Sequence, residues 1–493
     1  MIVSRRTADI AITRSQVRLF PDPARRIVRP YRPPDDSPSQ SGPNRVERIL
    51  ERVLDLTPEE VSEALADVYD RFADRYADFD QVLLDGFSTV ERLTIPQLSD
   101  DQRRVISAYF LHEYSVEAAA LTNPSIVAHP DQGGLAEGVL RVVISLRAVG
   151  EGHISSIEFR TGEVDAQGAI EVIEPSPLVR GTRETPLFDK VVFAKKLEEL
   201  GTEPALVEDA LGALEDHFTM TDLEATLSTL AARVATPLTQ KIVHTIHWLA
   251  SSNYRVTFAA DSDLSQRILV PGGPAESRGM EDARFVRFVD NDDTVRYYGT
   301  YTAFDGFDIL PQLIETTDFE TFRVATLNGS AAVNKGLAVF PRRIAGRFAA
   351  LGRSDGESNY LMMTDNVRFW DDAVRIQVPA RSWELIQIGN AGAPIETEAG
   401  WLVITHGVGP MRQYALGAIL LDLDEPSHVI GHLPEPLLEA DEGERDGYVP
   451  NVVYSCGAVL QDGNLIVAYG ASDTSARFAT LSVDSVLSAL TPE

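Results

Sequence analysis

Gly279-Met280-Glu281-Asp282-Ala283-Arg284-Phe285-Val286-Arg287-Phe288 runs through Asp290-Asn291-Asp292-Asp293 into Tyr297-Tyr298-Gly299-Thr300-Tyr301-Thr302-Ala303-Phe304. Two runs rich in aromatic and β-branched residues flank a turn of Asp and Asn, a pattern that predicts a β-hairpin. Strand side chains alternate between faces, so Asp282 and Arg284 are expected to project together while Glu281 points the other way. On that alternation Glu281 and Asp282 do not form a catalytic pair. An Asp beside an Arg stays ionised unless burial opposes it, and an acid held at a strand end over a polar cleft can serve in proton transfer. A surface salt bridge at a hairpin is the plainer reading of the same residues.

The β texture extends in both directions. Val139-Leu140-Arg141-Val142-Val143-Ile144-Ser145-Leu146-Arg147 and Ile154-Ser155-Ser156-Ile157-Glu158-Phe159-Arg160 are β-rich runs separated by Gly150-Glu151-Gly152. From Tyr254-Arg255-Val256-Thr257-Phe258 onward, short strands alternate with turn clusters to the end, as in an all-β propeller. Between these β regions, 186–252 returns to helical periodicity, with caps suggested at Thr202, at Thr219 or Thr221, and at Thr236; a helical insertion is expected there. Residues 1–44 read as a locally basic extended arm followed by a linker, Pro33-Pro34-Asp35-Asp36-Ser37-Pro38-Ser39-Gln40-Ser41-Gly42-Pro43. Residues 45–115 read as an N-terminal helical module: Thr57-Pro58-Glu59-Glu60 carries a capping-box signal, and Val61, Ala64, Leu65, Val68 and Phe72 recur at helical spacing.

The 44 Lys and Arg against 74 Asp and Glu give a formal charge of −30, which disfavours nucleic-acid binding and attraction to anionic membranes. Any phosphate site must therefore come from a local basic cluster. The lone Cys456 excludes an intrachain disulfide framework and reads as a buried strand residue. No apolar run is long enough to span a membrane and the N-terminus lacks a signal-like apolar stretch, so a cytoplasmic location is expected. Glu151 and His153 have no partner at metal-ligand spacing, and no metal is expected.

The Gly-x-Glu-Asp-x-Arg element at 279–284 and the hairpin after it are followed by Asn334-Lys335-Gly336, Phe340-Pro341-Arg342-Arg343-Ile344, Gly400-Trp401-Leu402-Val403-Ile404-Thr405-His406-Gly407-Val408, Val449-Pro450-Asn451 and Tyr469-Gly470-Ala471-Ser472-Asp473. In this order and spacing they resemble glycoside hydrolase family 130, the β-mannoside phosphorylases and related β-mannosidases. The resemblance covers roughly 115–185 and 250–490. It implies a mainly β fold, with a five-bladed β-propeller over 116–493 interrupted by the 186–252 insertion. It also implies phosphorolysis of a β-mannoside with inversion, giving mannose 1-phosphate.

Asp282 matches the family's general acid, whose proton reaches the glycosidic oxygen through a sugar hydroxyl while inorganic phosphate attacks the anomeric carbon. The resemblance places Asn123, Ser125, Arg147, Arg284, Tyr301 and Asp473 at the sugar, and Lys335, Arg353, His406 and Tyr414 at the phosphate. Inorganic phosphate would be the co-substrate, with no cofactor, and an oligosaccharide the partner; a homo-oligomer through the helical segments is a further expectation. Two departures stand out. The family's common Asp-Pro-Arg is Asp282-Ala283-Arg284 here, and Glu396-Thr397 stands where some members carry a lysine. A carboxylate facing the phosphate would favour a phosphate-independent β-mannosidase, so the orientation of Glu396 matters; Met411-Arg412 offers a compensating cation. A non-catalytic carbohydrate-binding propeller is the third reading. Two clusters, 150–156 and Glu444-Arg445-Asp446-Gly447-Tyr448, are not explained by the general family pattern.

Overall fold

The computed structural model describes residues 10–31, 33, 44–76, 78–87, 98–233 and 236–492. The protein is mainly β and divides into two compact units, one of Met1–Pro21, Ala118–Pro175 and Arg180–Glu493, the other of Asp22–Glu117 and Ser176–Val179. Except for Pro33, the proline-rich linker lies outside the described residues.

In the smaller unit the strands Arg26–Pro30 and Leu111–Ser115 pair antiparallel. Around them are the helices Arg45–Leu54, Pro58–Phe72, Phe79–Phe87 and Asp100–Tyr109. Thr57 and Glu60 form the reciprocal capping box, which satisfies two otherwise unpaired N–H groups. Leu50, Val53, Val61, Val105, Ile106 and Phe110 bury a common apolar face. The Arg25 guanidinium meets Glu117 at 2.8 Å, both side chains almost fully buried.

The larger unit is a succession of antiparallel strand groups, the first two joined into one sheet by a parallel pairing of Ser155 with Gly279. Ala120–Ala128, Leu140–Val149, Ser155–Val164 and Ile170–Val172 form the first group. The opening hairpin, Gly279–Val289 with Val295–Phe304, continues into Ile309–Thr316, Thr321–Thr326 and Tyr254–Thr257. Then come Ala338–Val339 to Ala373–Gln377, followed by Gln387–Asn390 with Gly400–Val408, Tyr414–Leu421 and Val429–His432. The last group is Val453–Gln461, Asn464–Ala471 and Ser475–Ser482. Its outer strand is Ile12–Leu19, which pairs antiparallel with Ser475–Ser482. The segment read as a plain extended arm is thus a sheet strand, with polar residues alternating along an edge. Its sparse apolar content hides it from a hydrophobic-pattern reading.

Apolar side chains from successive groups meet face to face. Phe159 packs against Phe285, Phe319 and Phe322, and Phe288 and Tyr298 pack against Phe348. Phe340 meets Trp401. Leu402 and Leu416 share a core with Val467 and Leu481, and Ile144 and Leu146 share one with Ile466 and Phe478. Within 186–252 lie the helices Lys190–Glu199, Pro204–Leu211, Met220–Arg233 and Pro237–Ser251. Thr219 and Thr236 cap as expected, whereas Thr202 does not, because the helix starts at Pro204 after Glu203. Among the described residues no helix is long and apolar enough to cross a membrane.

Candidate active site

Three strand bulges position the candidate residues. Register shifts fall between Thr122 and Ser125, between Glu281 and Arg284, and between Tyr454 and Gly457. Asn123 and Asp282 sit in the first two with left-handed φ of 48° and 55°, a conformation that Asn and Asp tolerate better than other non-glycine residues. A bulge breaks the two-residue alternation and re-aims side chains. The expectation that Glu281 points away from Asp282 is therefore corrected. Glu281 accepts from Arg147 Nη2 at 2.7 Å and from Lys335 Nζ at 2.6 Å, and Arg147 Nη1 also reaches Asp282 Oδ1 at 3.4 Å.

Asp282 Oδ1 accepts from the Asn123 amide at 2.6 Å, while 16% of its side chain stays exposed, enough to meet a ligand. Burial opposes its ionisation, but Arg147, Arg284, the Asn123 amide and Lys335 outweigh that and hold the carboxyl below its ordinary range. Gly279 sets up this bulge. Its φ is +130°, and a Cβ there would lie 2.6 Å from the Ser155 backbone nitrogen. Gly279→Ala is expected to cost about 1–3 kcal/mol of backbone strain, read by urea denaturation, and to displace Asp282 enough to lower turnover.

The opposite wall is built from Arg284, Tyr454, His406 and Arg353. Arg284 Nη2 donates to the Tyr454 hydroxyl at 2.5 Å. The Tyr454 ring lies 4.8 Å from His406, which also stacks with Tyr414 at 6.3 Å. His406 Nδ1 is 3.1 Å from the Asn390 carbonyl, which can only accept, so Nδ1 carries the proton and Nε2 accepts from Arg353 Nη1 at 3.2 Å. Burial, with Arg353 and Arg284 alongside, pushes His406 well below its usual range, and the ring is neutral. The turns carrying Lys335 and Arg353 are neighbours: a Cβ on Gly356 would stand 3.1 Å from the Asn334 amide nitrogen, and one on Gly336 would stand 3.9 Å from Arg284 Nη2. The Nε atoms of Arg147, Arg284 and Arg353 are buried without a hydrogen-bond partner among the described residues. Buried polar groups of that kind call for a ligand or water.

Asp473 belongs to the same cluster. Ser472 and Asp473 are both left-handed. Burial, then the charge of Asp282, push the Asp473 carboxyl up to about 6 although Arg147 and Arg412 pull it down. A carboxyl whose folded pKa is raised binds more protons folded than unfolded between about pH 4 and 6. Its contribution is fully present below the unfolded pKa and is lost as pH rises through about 6. Asp473→Asn is accordingly expected to raise the Tm relative to the parent at pH 7.5, and the gain should vanish by pH 4.

Ser125 and Tyr301 take different places from the ones expected. Ser125 Oγ accepts from the Phe285 backbone N–H at 3.1 Å, and the Tyr301 hydroxyl donates to the buried Glu276 at 2.5 Å. Both support the strands behind the cleft. Glu396 also lies elsewhere: it is bidentate to Arg342, at 2.7 and 2.8 Å, and pairs in register with Trp401. His406 is farther along that strand by five residues, roughly 16 Å at a strand rise of about 3.3 Å per residue. Cys456 is buried beside the third bulge, and burial pushes its thiol up to about 12. Among the described residues no group of three or more His, Cys, Asp or Glu could hold a metal ion. A cavity of about 720 Å³ lies away from this cluster, lined by Phe188, Lys196, Arg323 and Arg368 among others; its size does not mark the chemistry.

Tyr454 and Asn390 carry no sequence signal that marks them as site residues, and strand alternation sets Glu281 aside. The signal for Glu281 was present as a charged residue directly beside Asp282, but the bulge that turns it inward has no apolar pattern to announce it.

Comparison with known proteins places the chain in a family. The family model Glyco_hydro_130, described as beta-1,4-mannooligosaccharide phosphorylase, matches residues 239–491. The chain belongs to glycoside hydrolase family 130. A 1,2-beta-oligomannan phosphorylase of Thermoanaerobacter sp. (strain X514) is 36% identical over 219 residues, which are 43% of this chain and 71% of the relative. A beta-1,2-mannobiose phosphorylase of the same organism is 35% identical over 227 residues, 44% of this chain and 72% of the relative. One from Listeria innocua is 30% identical over 232 residues, 46% of this chain and 64% of the relative.

Proposed function

We propose that this protein is a glycoside phosphorylase that cleaves a β-mannoside with inorganic phosphate and inversion, releasing mannose 1-phosphate. The observation that carries the reading is the pairing of one recessed carboxyl, Asp282, with unpartnered guanidinium nitrogens on Arg147, Arg284 and Arg353. The phosphorylase names of the relatives support it. Lys335 and Arg353 hold phosphate as charge-assisted donors. Neutral His406, having no proton on Nε2, acts by orienting Arg353 rather than by donating to phosphate itself. Arrival of the anion offsets the cations that depress Asp282, which raises its proton affinity when an acid is needed. Phosphate oxygen bonds to the anomeric carbon, the glycosidic bond breaks, and the Asp282 proton passes to the departing oxygen through a sugar hydroxyl. The carboxylate left behind recovers a proton from the newly esterified phosphate, so the cycle needs no outside acid.

The face-to-face packing of successive sheets, with the last sharing a core with the first, supports a five-bladed β-propeller as the frame. A phosphate-independent β-mannosidase is the second reading; the Glu396–Arg342 pair removes the carboxylate that favoured it. The test is incubation with β-mannobioses of each linkage, with and without phosphate. Mannose 1-phosphate formed only with phosphate is expected, and the β-1,2 linkage named for the relatives comes first.

A further inference from the structure

The two clusters left over from the sequence meet in space. His153, on the turn after Leu140–Val149, and Tyr448 stack with ring centroids 5.5 Å apart and planes 27° from parallel. The Tyr448 hydroxyl is 3.2 Å from His153 Nδ1. Both residues are exposed, Tyr448 by 57%, which is unusual for a large ring that could have been buried.

Each ring is tied to a loop of the site. The Tyr448 backbone N–H donates to Thr474 Oγ1 at 2.9 Å, and the Val449 N–H donates to the Ser472 carbonyl at 3.0 Å, so the 447–449 segment lies along the turn that carries Asp473. Gly447 permits that approach, because a Cβ there would stand 2.6 Å from the Ser472 carbonyl oxygen. The loop is anchored below by Glu444, fully buried, which accepts from the Tyr469 hydroxyl at 2.7 Å, while its carbonyl accepts from Ser472 Oγ at 2.6 Å. On the other side, Ser155 Oγ donates to the Met280 carbonyl at 3.0 Å and Ser155 pairs with Gly279, which seats the 150–155 turn beside the Asp282 bulge. His153 itself is held at φ 59°. An exposed ring pair thus spans the two loops that present Asp282 and Asp473, fixed by hydrogen bonds rather than left to swing.

We infer that the His153–Tyr448 ring pair is a sugar-binding platform at the rim of the cleft, taking the pyranose on the leaving-group side of the cleaved bond. A pyranose offers a face of C–H groups that suits the negative face of an aromatic ring. The hydroxyls around that face suit the solvent-exposed rim, where hydrogen bonds can be completed through water. This inference rests on the phosphorylase reading and assigns the part of the site that selects the acceptor.

The test compares the parent with Tyr448→Ala, Tyr448→Phe and His153→Ala, using β-mannobiose and β-mannotriose. Tyr448→Ala is expected to raise the KM for the sugar tenfold or more in phosphorolysis, and the KM for acceptor in the reverse reaction, while the KM for phosphate moves less than twofold. Tyr448→Phe keeps the ring and should stay near the parent; His153→Ala should fall between. Sugar KM within twofold of the parent in Tyr448→Ala, or equal rises for sugar and phosphate, would overturn the platform. If the parent turns over no mannoside with phosphate, the proposed reaction fails instead, and calorimetric titration of mannotriose decides the platform. Binding by the parent that is lost in Tyr448→Ala supports it; binding unchanged by the substitution, or absent from the parent, rejects it.

Discussion

Asp282→Asn is expected to lower kcat by about 10²–10⁴-fold, the usual contribution of general acid catalysis, while the fold is kept and the Tm at neutral pH falls, because the surrounding cations favour the ionised carboxylate. The substitution preserves shape and leaves the Arg147–Glu281–Lys335 chain of ion pairs in place, although Arg147 loses the Asp282 charge 3.4 Å away. What disappears is a part-exposed carboxyl whose proton affinity is set by Arg147, Arg284, the Asn123 amide and Lys335. Glu281 cannot take over, since each of its oxygens is already held by a cation. Turnover within a factor of a few of the parent, at saturating phosphate and sugar, would remove Asp282 from the proton-donor role.

The second large effect is expected at the phosphate. Arg353→Ala should raise the KM for phosphate about 10- to 100-fold, since a hydrogen bond to a charged group contributes about 1.5–3 kcal/mol and about 1.4 kcal/mol is a factor of ten. The sugar KM should change far less. Arg353 is the cleaner probe because its described side-chain partner is neutral His406, whereas Lys335→Ala also frees one oxygen of Glu281 and disturbs Arg147. Arg353→Lys restores charge without the planar fork and should recover only part of the loss. Initial rates at varied phosphate measure this; a phosphate KM unchanged in Arg353→Ala would place the anion elsewhere.

Much of this arrangement is legible in the sequence. The hairpin at 279–304, the β runs around Gly150 and the Thr57 capping box follow from local chemistry, in which turn residues and side-chain periodicity act within a few positions. The site residues come through matching motifs, and Asp282, Asn123, Arg147, Arg284, Lys335, Arg353, His406, Tyr414 and Asp473 gather in one cluster. What escaped depends on non-local geometry. The inward turn of Glu281 needs the left-handed backbone at Asp282, and a two-residue alternation assigns it to the wrong face. The hydroxyls of Ser125 and Tyr301 go to the Phe285 N–H and to Glu276 because of partners distant in the chain. The strand Ile12–Leu19 finds its place only when the last sheet exists to receive it. The meeting of His153 with Tyr448 joins segments that share no local pattern at all.

The most direct measurement is phosphorus and proton NMR of the products formed from the β-mannoside that is turned over, with and without inorganic phosphate. Direct attack by phosphate on the face opposite the leaving group predicts α-mannose 1-phosphate as the first product, in amounts equal to the released acceptor, and no cleavage when phosphate is left out. Free mannose released at the same rate without phosphate would contradict the account.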